Sequence, residues 1–363
     1  MYGHAWPFLK SQWITLRLTH PFTQPELTIM QIPNMKGREF IRIAVTKASV
    51  GGAQGVEAFT TARYGSDGPR IAKAAIASLN SSELLGENPA AAFVTTIVDK
   101  SVLGQLRGAR PTSFNTRTRK LSSGARGYFV AEAAPIPLSK QSVEGSTLRP
   151  LKVFALVVST KEAVSSLDPL AEAGLQSDLQ TACVAAVNAA FLDPANAGTP
   201  NVSPAAVTYG APTVAATGNA VADLKALIAA FKGDASAAYF CTDPDTATAL
   251  AMAQTANGAF LFPEAGPRGG AILGIPLVTT IDSPRDSSGG QLALIDPTGI
   301  AYNIDDVQMD VAKNATLAMS DSPTSPVEQV SLFQTSSVAW KVLIRANWEN
   351  HRANGVALLT GVQ

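Results

Sequence analysis

The sequence predicts an α+β chain organised around one long helix and one long strand. Three observations carry that expectation. Residues 168–192 read as an alanine-rich helix with stop signals at both ends, residues 329–349 alternate apolar with polar side chains, and the stretch between them interleaves short helices with apolar strands.

Size and composition set the frame. At 363 residues the chain can fill one large or two medium cores. It is 46% hydrophobic, only 15% charged and formally neutral, which argues for burial, inside the chain or against copies of itself, and against disorder. Neutrality also removes the overall positive field that a nucleic-acid binder uses. Cys183 and Cys241 both sit in apolar surroundings, so they read as buried free thiols rather than a disulfide or zinc site. No basic region followed by an apolar core opens the chain, and no run reaches the ~20 apolar residues of a membrane span. A soluble, reducing compartment is the expectation.

Residues 1–37 are broken by Pro7, Pro21, Pro25 and Pro33 and carry Trp6 and Trp13. They read equally as an arm laid on another surface or as a segment packed on its own domain. Residues 38–48 and 70–79 are short helix candidates, linked through Gly51, Gly52, Gly55, Gly65 and Gly68. Ala91–Leu106 is a regular element with Phe93, Ile97, Val98, Val102 and Leu106 on one face.

Residues 107–126 hold Arg107, Arg110, Arg117, Arg119, Lys120 and Arg126 and no acidic residue. Interleaved serine, threonine and glycine predict a mobile positive loop. Two β-runs follow, Tyr128–Ala133 and Leu148–Ser159, joined by a polar stretch containing Pro135, Pro137 and Gly145. The unit reads either as a solvated hairpin or as an arm reaching a nucleic acid or an acidic protein surface. Phe114 is the sole aromatic among the basic residues, which argues against a base-stacking platform.

Asp168 suits the N-cap of the long helix, Pro169 its first turn, and Asp193-Pro194 its end. Leu175, Leu179, Ala182, Ala186, Ala189 and Ala190 mark the expected buried face of a rod about 37 Å long. Residues 193–212 are rich in glycine and proline and read as a domain crossing. Helix 221–232 carries Val221, Leu224, Leu227, Ile228 and Phe231 and ends at Gly233. A buried strand at Ala237–Thr242 precedes a helix started by Asp243-Pro244 and reaching Ala256. Strands follow at Leu273–Thr280, Gln291–Ile295 and Val307–Val311.

In the last segment Val330, Leu332, Val338, Trp340, Val342, Ile344, Ala346 and Trp348 take even positions, and Ser331, Thr335, Ser337, Lys341, Arg345, Asn347 and Glu349 odd ones. That period of two gives one buried and one wet face. The run is too long for one straight strand, so a bend is expected near Ser336–Ser337, with the long helix as its apolar cover.

Catalytic signatures are missing. His4, His20 and His351 are the only histidines, no serine lies in a nucleophile-elbow pattern, and there is no phosphate-binding Gly-Lys-Ser/Thr loop. Glycines at Gly51-Gly52 and Gly266–Gly270 miss the dinucleotide spacing. Asp305-Asp306 are adjacent in a strand and would point to opposite faces, and no spacing suits zinc. No catalyst, cofactor or metal is expected.

Four stretches carry a resemblance. They are Ala131-Glu132-Ala133-Ala134-Pro135-Ile136-Pro137-Leu138-Ser139 leading to Leu148-Arg149-Pro150-Leu151-Lys152; Ser159-Thr160-Lys161-Glu162 running into the long helix; Asn257-Gly258-Ala259-Phe260-Leu261-Phe262 followed by Leu273-Gly274-Ile275-Pro276-Leu277-Val278-Thr279-Thr280; and Ala293-Leu294-Ile295-Asp296 with Gly355-Val356-Ala357-Leu358-Leu359. In this order, over residues 93–363, they resemble the major capsid proteins of tailed bacteriophages, whose fold is shared with encapsulin shells and the herpesvirus capsid floor.

The resemblance implies a division of the chain: 1–92 an N-terminal arm and short helices; 93–112 leading into a peripheral domain; 113–150 an extended loop overlapping the adjacent subunit; 151–199 the peripheral domain with its spine helix; 200–303 an axial domain; 304–349 peripheral strands and a three-fold loop; and 350–363 the axial C-terminal strand. It implies subunit-interface roles for Arg117, Arg119, Lys120, Arg126, Glu132, Lys140, Asp321 and Glu328, and an axial loop containing Gly258, Phe260, Gly266, Arg268 and Gly269. It implies self-assembly as hexamers and pentamers, in the host cytoplasm, into a virion shell round double-stranded DNA, with portal and scaffolding or decoration proteins as partners and no membrane.

Two departures shape the expectation. Residues 318–328 contain no asparagine for the lysine–asparagine cross-link of some relatives, so a non-covalent shell is expected. Residues 1–37 do not read as a charged helical scaffolding segment, so no removal is expected. Residues 282–328 carry Asp282, Asp286, Asp296, Asp305, Asp306, Asp310, Asp321 and Glu328 against Arg285 and Lys313, which makes them the electrostatic complement of the basic loop on a neighbouring subunit, with packaged DNA as the rival target. The competing readings of the whole chain are an encapsulin-like shell around protein cargo and a soluble α/β enzyme with an interdomain pocket.

Overall fold

The computed structural model describes residues 38–50, 55–76, 89–123, 128–130, 135, 138, 142–165, 169–255, 257–320, 329–352 and 355–362. The N-terminal stretch 1–37 and the N-cap position Asp168 lie outside them.

The chain opens with helices α1 (Arg38–Ser49), α2 (Val56–Tyr64), α3 (Gly68–Ile76), α4 (Pro89–Lys100) and α5 (Val102–Gln105). The glycine-bounded stretch before residue 68, expected as a linker, holds α2. The element expected at Ala91–Leu106 is broken at Ser101, whose hydroxyl oxygen accepts from the Gly104 amide and caps α5. Next come β1 (Arg110–Pro111), β2 (Arg117–Ser123), β3 (Ser142–Thr147), β4 (Leu151–Thr160), α6 (Lys161–Ser165) and the long helix α7 (Pro169–Leu192). The expected pairing of Tyr128–Ala133 with Leu148–Ser159 is corrected. Residues 128–130 are not strand, and the hairpin pairs the basic segment Arg117–Ser123 with Ser142–Thr147.

Elements β5 (Thr213–Ala215), α8 (Ala220–Ala230), β6 (Tyr239–Thr242), α9 (Pro244–Met252), β7 (Ala265–Gly266), β8 (Gly269–Ile272), β9 (Ile275–Thr279), β10 (Arg285–Asp286) and β11 (Gly289–Ile295) follow. Asn219 caps α8 by accepting from Val221 and Ala222, a signal the sequence reading passed over. Asp243 caps α9 as expected, but the helix stops at Met252, short of Ala256. The chain closes with β12 (Ile300–Ala312), β13 (Thr316–Ala318), β14 (Gln329–Ser331), β15 (Ser337–Asn350) and β16 (Val356–Val362).

Two main sheets result. One has the order β1-β12-β15-β4; the other runs β5-β16-β11-β6-β9-β8-β7, with β10 on β11. The expected bend in the last strand is a full break: β14 pairs with β13, residues 332–336 turn with Ser336 at φ 51°, and β15 begins at Ser337. Val338, Trp340, Val342, Ile344, Ala346 and Trp348 are all buried. A bulge in β12 falls between Asp305 and Val307, so the strict alternation assumed for Asp305-Asp306 does not hold there.

The long helix is rotated from the expected face. Ala182, Ala186 and Ala189 are exposed, and the buried side runs through Leu179, Cys183, Val184, Val187, Asn188, Phe191 and Leu192. Larger side chains fill the interior and bury more apolar area, so they win over the alanines. Helix α7 rests on β4, α4 and α1, and Phe191 meets Trp348 edge-on at 5.4 Å. Phe40 of α1 and Phe93 of α4 meet at 5.3 Å in the same core. A second core lies between α8, α9 and one face of the larger sheet, through Leu224, Leu227, Phe240, Leu250, Leu292 and Leu294. All seven residues of β11 are buried. Leu292 and Leu294 face the second core while Ala293 and Ile295 face the first.

Candidate subunit interface

The β2–β3 hairpin is built on a fixed root. Leu148 is buried, and its carbonyl accepts from the Asn115 amide at 2.9 Å. The Ser146 hydroxyl donates to Glu349 Oε2, and Asn347 Nδ2 donates to the Arg149 carbonyl at 2.6 Å, so the end of β15 holds β3 in place. Within the hairpin Arg117 pairs with Thr147, Arg119 with Gly145 and Lys120 with Glu144. Gly145 leaves room for the Arg117 guanidinium: an added Cβ would sit 2.8 Å from Nε. Arg126, Glu132, Lys140, Asp321 and Glu328 lie outside the described residues.

Beyond the strands the hairpin segment presents apolar groups to solvent. Phe129 is 110% exposed and Leu138 96%, with Tyr128 and Val130 beside Phe129. Sequence reasoning weighted the charges here and passed over these side chains. The signal was legible as Tyr128-Phe129-Val130, three apolar residues in a polar stretch. A second exposed apolar strip lies on β4. Phe154 and Leu156 point away from the core, and register places Phe154 beside Leu343 and Leu156 beside Lys341. The alternation Val153-Phe154-Ala155-Leu156-Val157 is apolar on both faces, which an isolated sheet face would not need.

The residues expected in an axial loop fall in two successive turns. Gly258 has φ 77° in the turn that bridges Gln254 to Phe260, where Thr255 N donates to the Ala259 carbonyl at 2.8 Å. Gly266 pairs with Gly269 across the β7–β8 turn, which leaves Arg268 exposed at its tip. Phe260 is half-exposed.

The acidic run is partly consumed inside its own chain. Asp282 accepts from Asn188 at 2.9 Å, and Asp310 pairs with Lys341 at 2.8 Å. Asp286 holds the turn to Gly289; the hydroxyl and amide of Ser288 bond its carboxylate and keep it below the usual range. Asp296 is buried and accepts from the amides of Asp234 and Thr298, the Thr298 hydroxyl and Arg352 Nη1. Burial pushes its carboxyl up, and those bonds more than reverse the effect, so it too lies below the usual range.

Both thiols are buried and unpaired, and desolvation pushes Cys183 up to about 11 and Cys241 to about 12. Among the described residues no group of three or more histidine, cysteine or acidic side chains could hold a metal, and no helix is long and apolar enough to cross a membrane.

Residues 85–361 match the model of the phage capsid family, and the chain belongs to that family. The match begins after α1–α3, although Phe40, Ile41, Ala44 and Val45 of α1 are part of the main core. A capsid polyprotein of Pseudomonas phage PAJU2 is 30% identical over 317 residues, covering 80% of this chain and 48% of its own length. The chain thus spans about half the length of that relative. Among solved structures, a chain from Mycobacterium phage Cain aligns with TM-score 0.51 at 17% identity, over 72% of this chain and 90% of its own. One from Microbacterium phage Oxtober96 aligns at 0.50 and 16%, over 80% and 97%. The capsid of a native gene transfer agent particle aligns at 0.50 and 15%, over 79% and 94%. These likenesses establish the mixed helix-and-sheet capsid fold. The protein is a capsid protein of a phage and a component of a virion, in a family whose members are structural and not normally enzymes.

Proposed function

We propose that this chain is the major shell subunit of an icosahedral phage head, assembling as hexamers and pentamers in the host cytoplasm around double-stranded DNA, with no catalytic role. The observation that carries the reading is the hairpin segment: a rooted β-ribbon whose Phe129 and Leu138 are fully solvated in the single subunit. Apolar groups held out from the body in this way gain by burial against another copy, at roughly 25 cal/mol per Å². In this reading residues 113–150 overlap the adjacent subunit and residues 258–270 approach the five- and six-fold axes. The basic strand supplies register, since exposed ion pairs contribute only ~0–1 kcal/mol each. Its acidic counterparts come from 321–328 of a neighbour more readily than from Asp282, Asp296 or Asp310, which have partners in their own chain. Portal and scaffolding or decoration proteins complete the set of partners. Electron microscopy of the purified protein tests the proposal. Closed particles with internal nucleic-acid density are expected, and a folded monomer that never assembles would overturn it.

A further inference from the structure

The two chain crossings between the main sheets meet at one point. One crossing runs from β11 through Asp296–Gly299 into β12, and the other from β15 through His351 and Arg352 into β16. A cavity of about 130 Å³ opens there, lined by Arg110, Thr298, Gly299, Ile300, Ala301, His351 and Arg352. Three residues with nitrogen-bearing side chains thus line a space too small for a nucleoside but large enough for one oxyanion.

Each is held in place differently. Arg110 sits on β1, its backbone set by the parallel pairing with Ala301, and among the described residues its side chain has no acidic partner. Arg352 is steered by one bond from Nη1 to the buried Asp296 carboxylate at 2.8 Å, which leaves its other N–H groups to donate elsewhere. Gly299 allows this, because an added Cβ would lie 3.0 Å from Cβ and Cγ of Arg352. His351 Nε2 is buried without a hydrogen-bond partner among the described residues, 3.7 Å from Glu349 Oε2. Of the two neighbouring carboxylates, Asp296 accepts from four donors and Glu349 from the Ser146 hydroxyl.

We propose that this cavity binds a phosphate group, with Arg110 and Arg352 as its charged donors and His351 as a third contact. Guanidinium groups match the geometry of a phosphate oxygen pair; the bond to Asp296 steers Arg352 without the ligand, and the pairing of β1 with β12 sets the backbone of Arg110. The group comes from inorganic phosphate or from a nucleic-acid phosphodiester.

Equilibrium dialysis of the full-length protein against labelled inorganic phosphate, at fixed ionic strength, tests this. Saturable binding is expected. Arg110→Ala should weaken it about tenfold and Arg110→Lys should recover part of the loss. Arg110 is exposed, so both variants should keep the wild-type melting curve. Arg107→Ala, which removes an exposed arginine that does not line the cavity, should bind as the wild type. Octathymidylate that displaces the phosphate identifies a phosphodiester as the source; failure to displace it identifies the free ion, and both results retain the site. Absence of saturable binding, an equal loss in Arg107→Ala, or displacement by acetate at lower concentration than by phosphate would overturn the proposal. The last result would mark a receptor for a neighbouring acidic side chain.

Discussion

Asn188 donates to the Asp282 carboxylate at 2.9 Å, and this contact fastens the long helix to the larger sheet. The second amide hydrogen goes to Thr280 Oγ1 at 3.2 Å, while Asn188 Oδ1 accepts from the Val102 amide at 2.9 Å. One buried side chain thus joins α7, the start of α5 and the end of β9.

Asn188→Ala should therefore cost more than a surface substitution. It leaves the buried Val102 N–H unpaired, a loss of about 1–3 kcal/mol, with a further contribution from Asp282. Urea unfolding should show the midpoint shifted down with the slope unchanged; an unshifted midpoint would mean that water replaces the amide.

Folding and assembly should separate by mutation. Leu179 is fully buried on α7, so Leu179→Asp should abolish soluble folded protein. Reversal of Arg117, Arg119 and Lys120 to glutamate changes only the hairpin and should leave circular dichroism and melting intact while particles fail to form. Normal particles from the triple reversal would remove the charge-register role.

Asp296 should make stability fall in acid. Its folded-state pKa is depressed, so the carboxylate contributes fully above its unfolded value of ~3.9 and loses that contribution as pH drops through the lower folded value. Asp296→Asn should be less stable than the parent at neutral pH, with the gap closing below pH ~4. A gap that is constant from neutral pH to pH 2 would assign the loss to packing alone.

The thiols should be silent. With values of about 11 and about 12, Cys183 and Cys241 stay protonated and buried at neutral pH. Native protein should not react with a thiol-specific chromogenic disulfide, and unfolded protein should yield two equivalents. Rapid native reaction would require local opening of α7 or β6.

The shell should be non-covalent, since residues 318–328 offer no asparagine. Boiling particles in detergent should release single subunits; a ladder of oligomers would contradict this.

Where one physical signal dominated, the sequence was legible. Asp243-Pro244 fixed the start of α9, and the alternation of Val338 through Trp348 fixed the buried face of β15. The face of α7 was misread because alanine is compatible with either side of a helix, and only the tertiary packing of Val187 and Phe191 decides between them. The hairpin register was missed because β2 is rich in arginine, lysine, serine and threonine, with Leu121 its single large apolar residue, so no apolar alternation marks it as a strand. At the candidate interface, charge was easy to see and was overweighted, while the apolar triplet Tyr128-Phe129-Val130 was legible and given too little weight. The cavity at Arg110, His351 and Arg352 was illegible in the sequence, because roughly 240 residues separate its two sides.

Strand β11 belongs to both interiors at once. With Leu292 and Leu294 in one core and Ala293 and Ile295 in the other, neither core can loosen without exposing the back of the same seven-residue strand. The described body from α1 to β16 should consequently melt in a single calorimetric transition. Strain at either core passes to the other through this shared strand, so the two cores resist deformation as one spring rather than two in series.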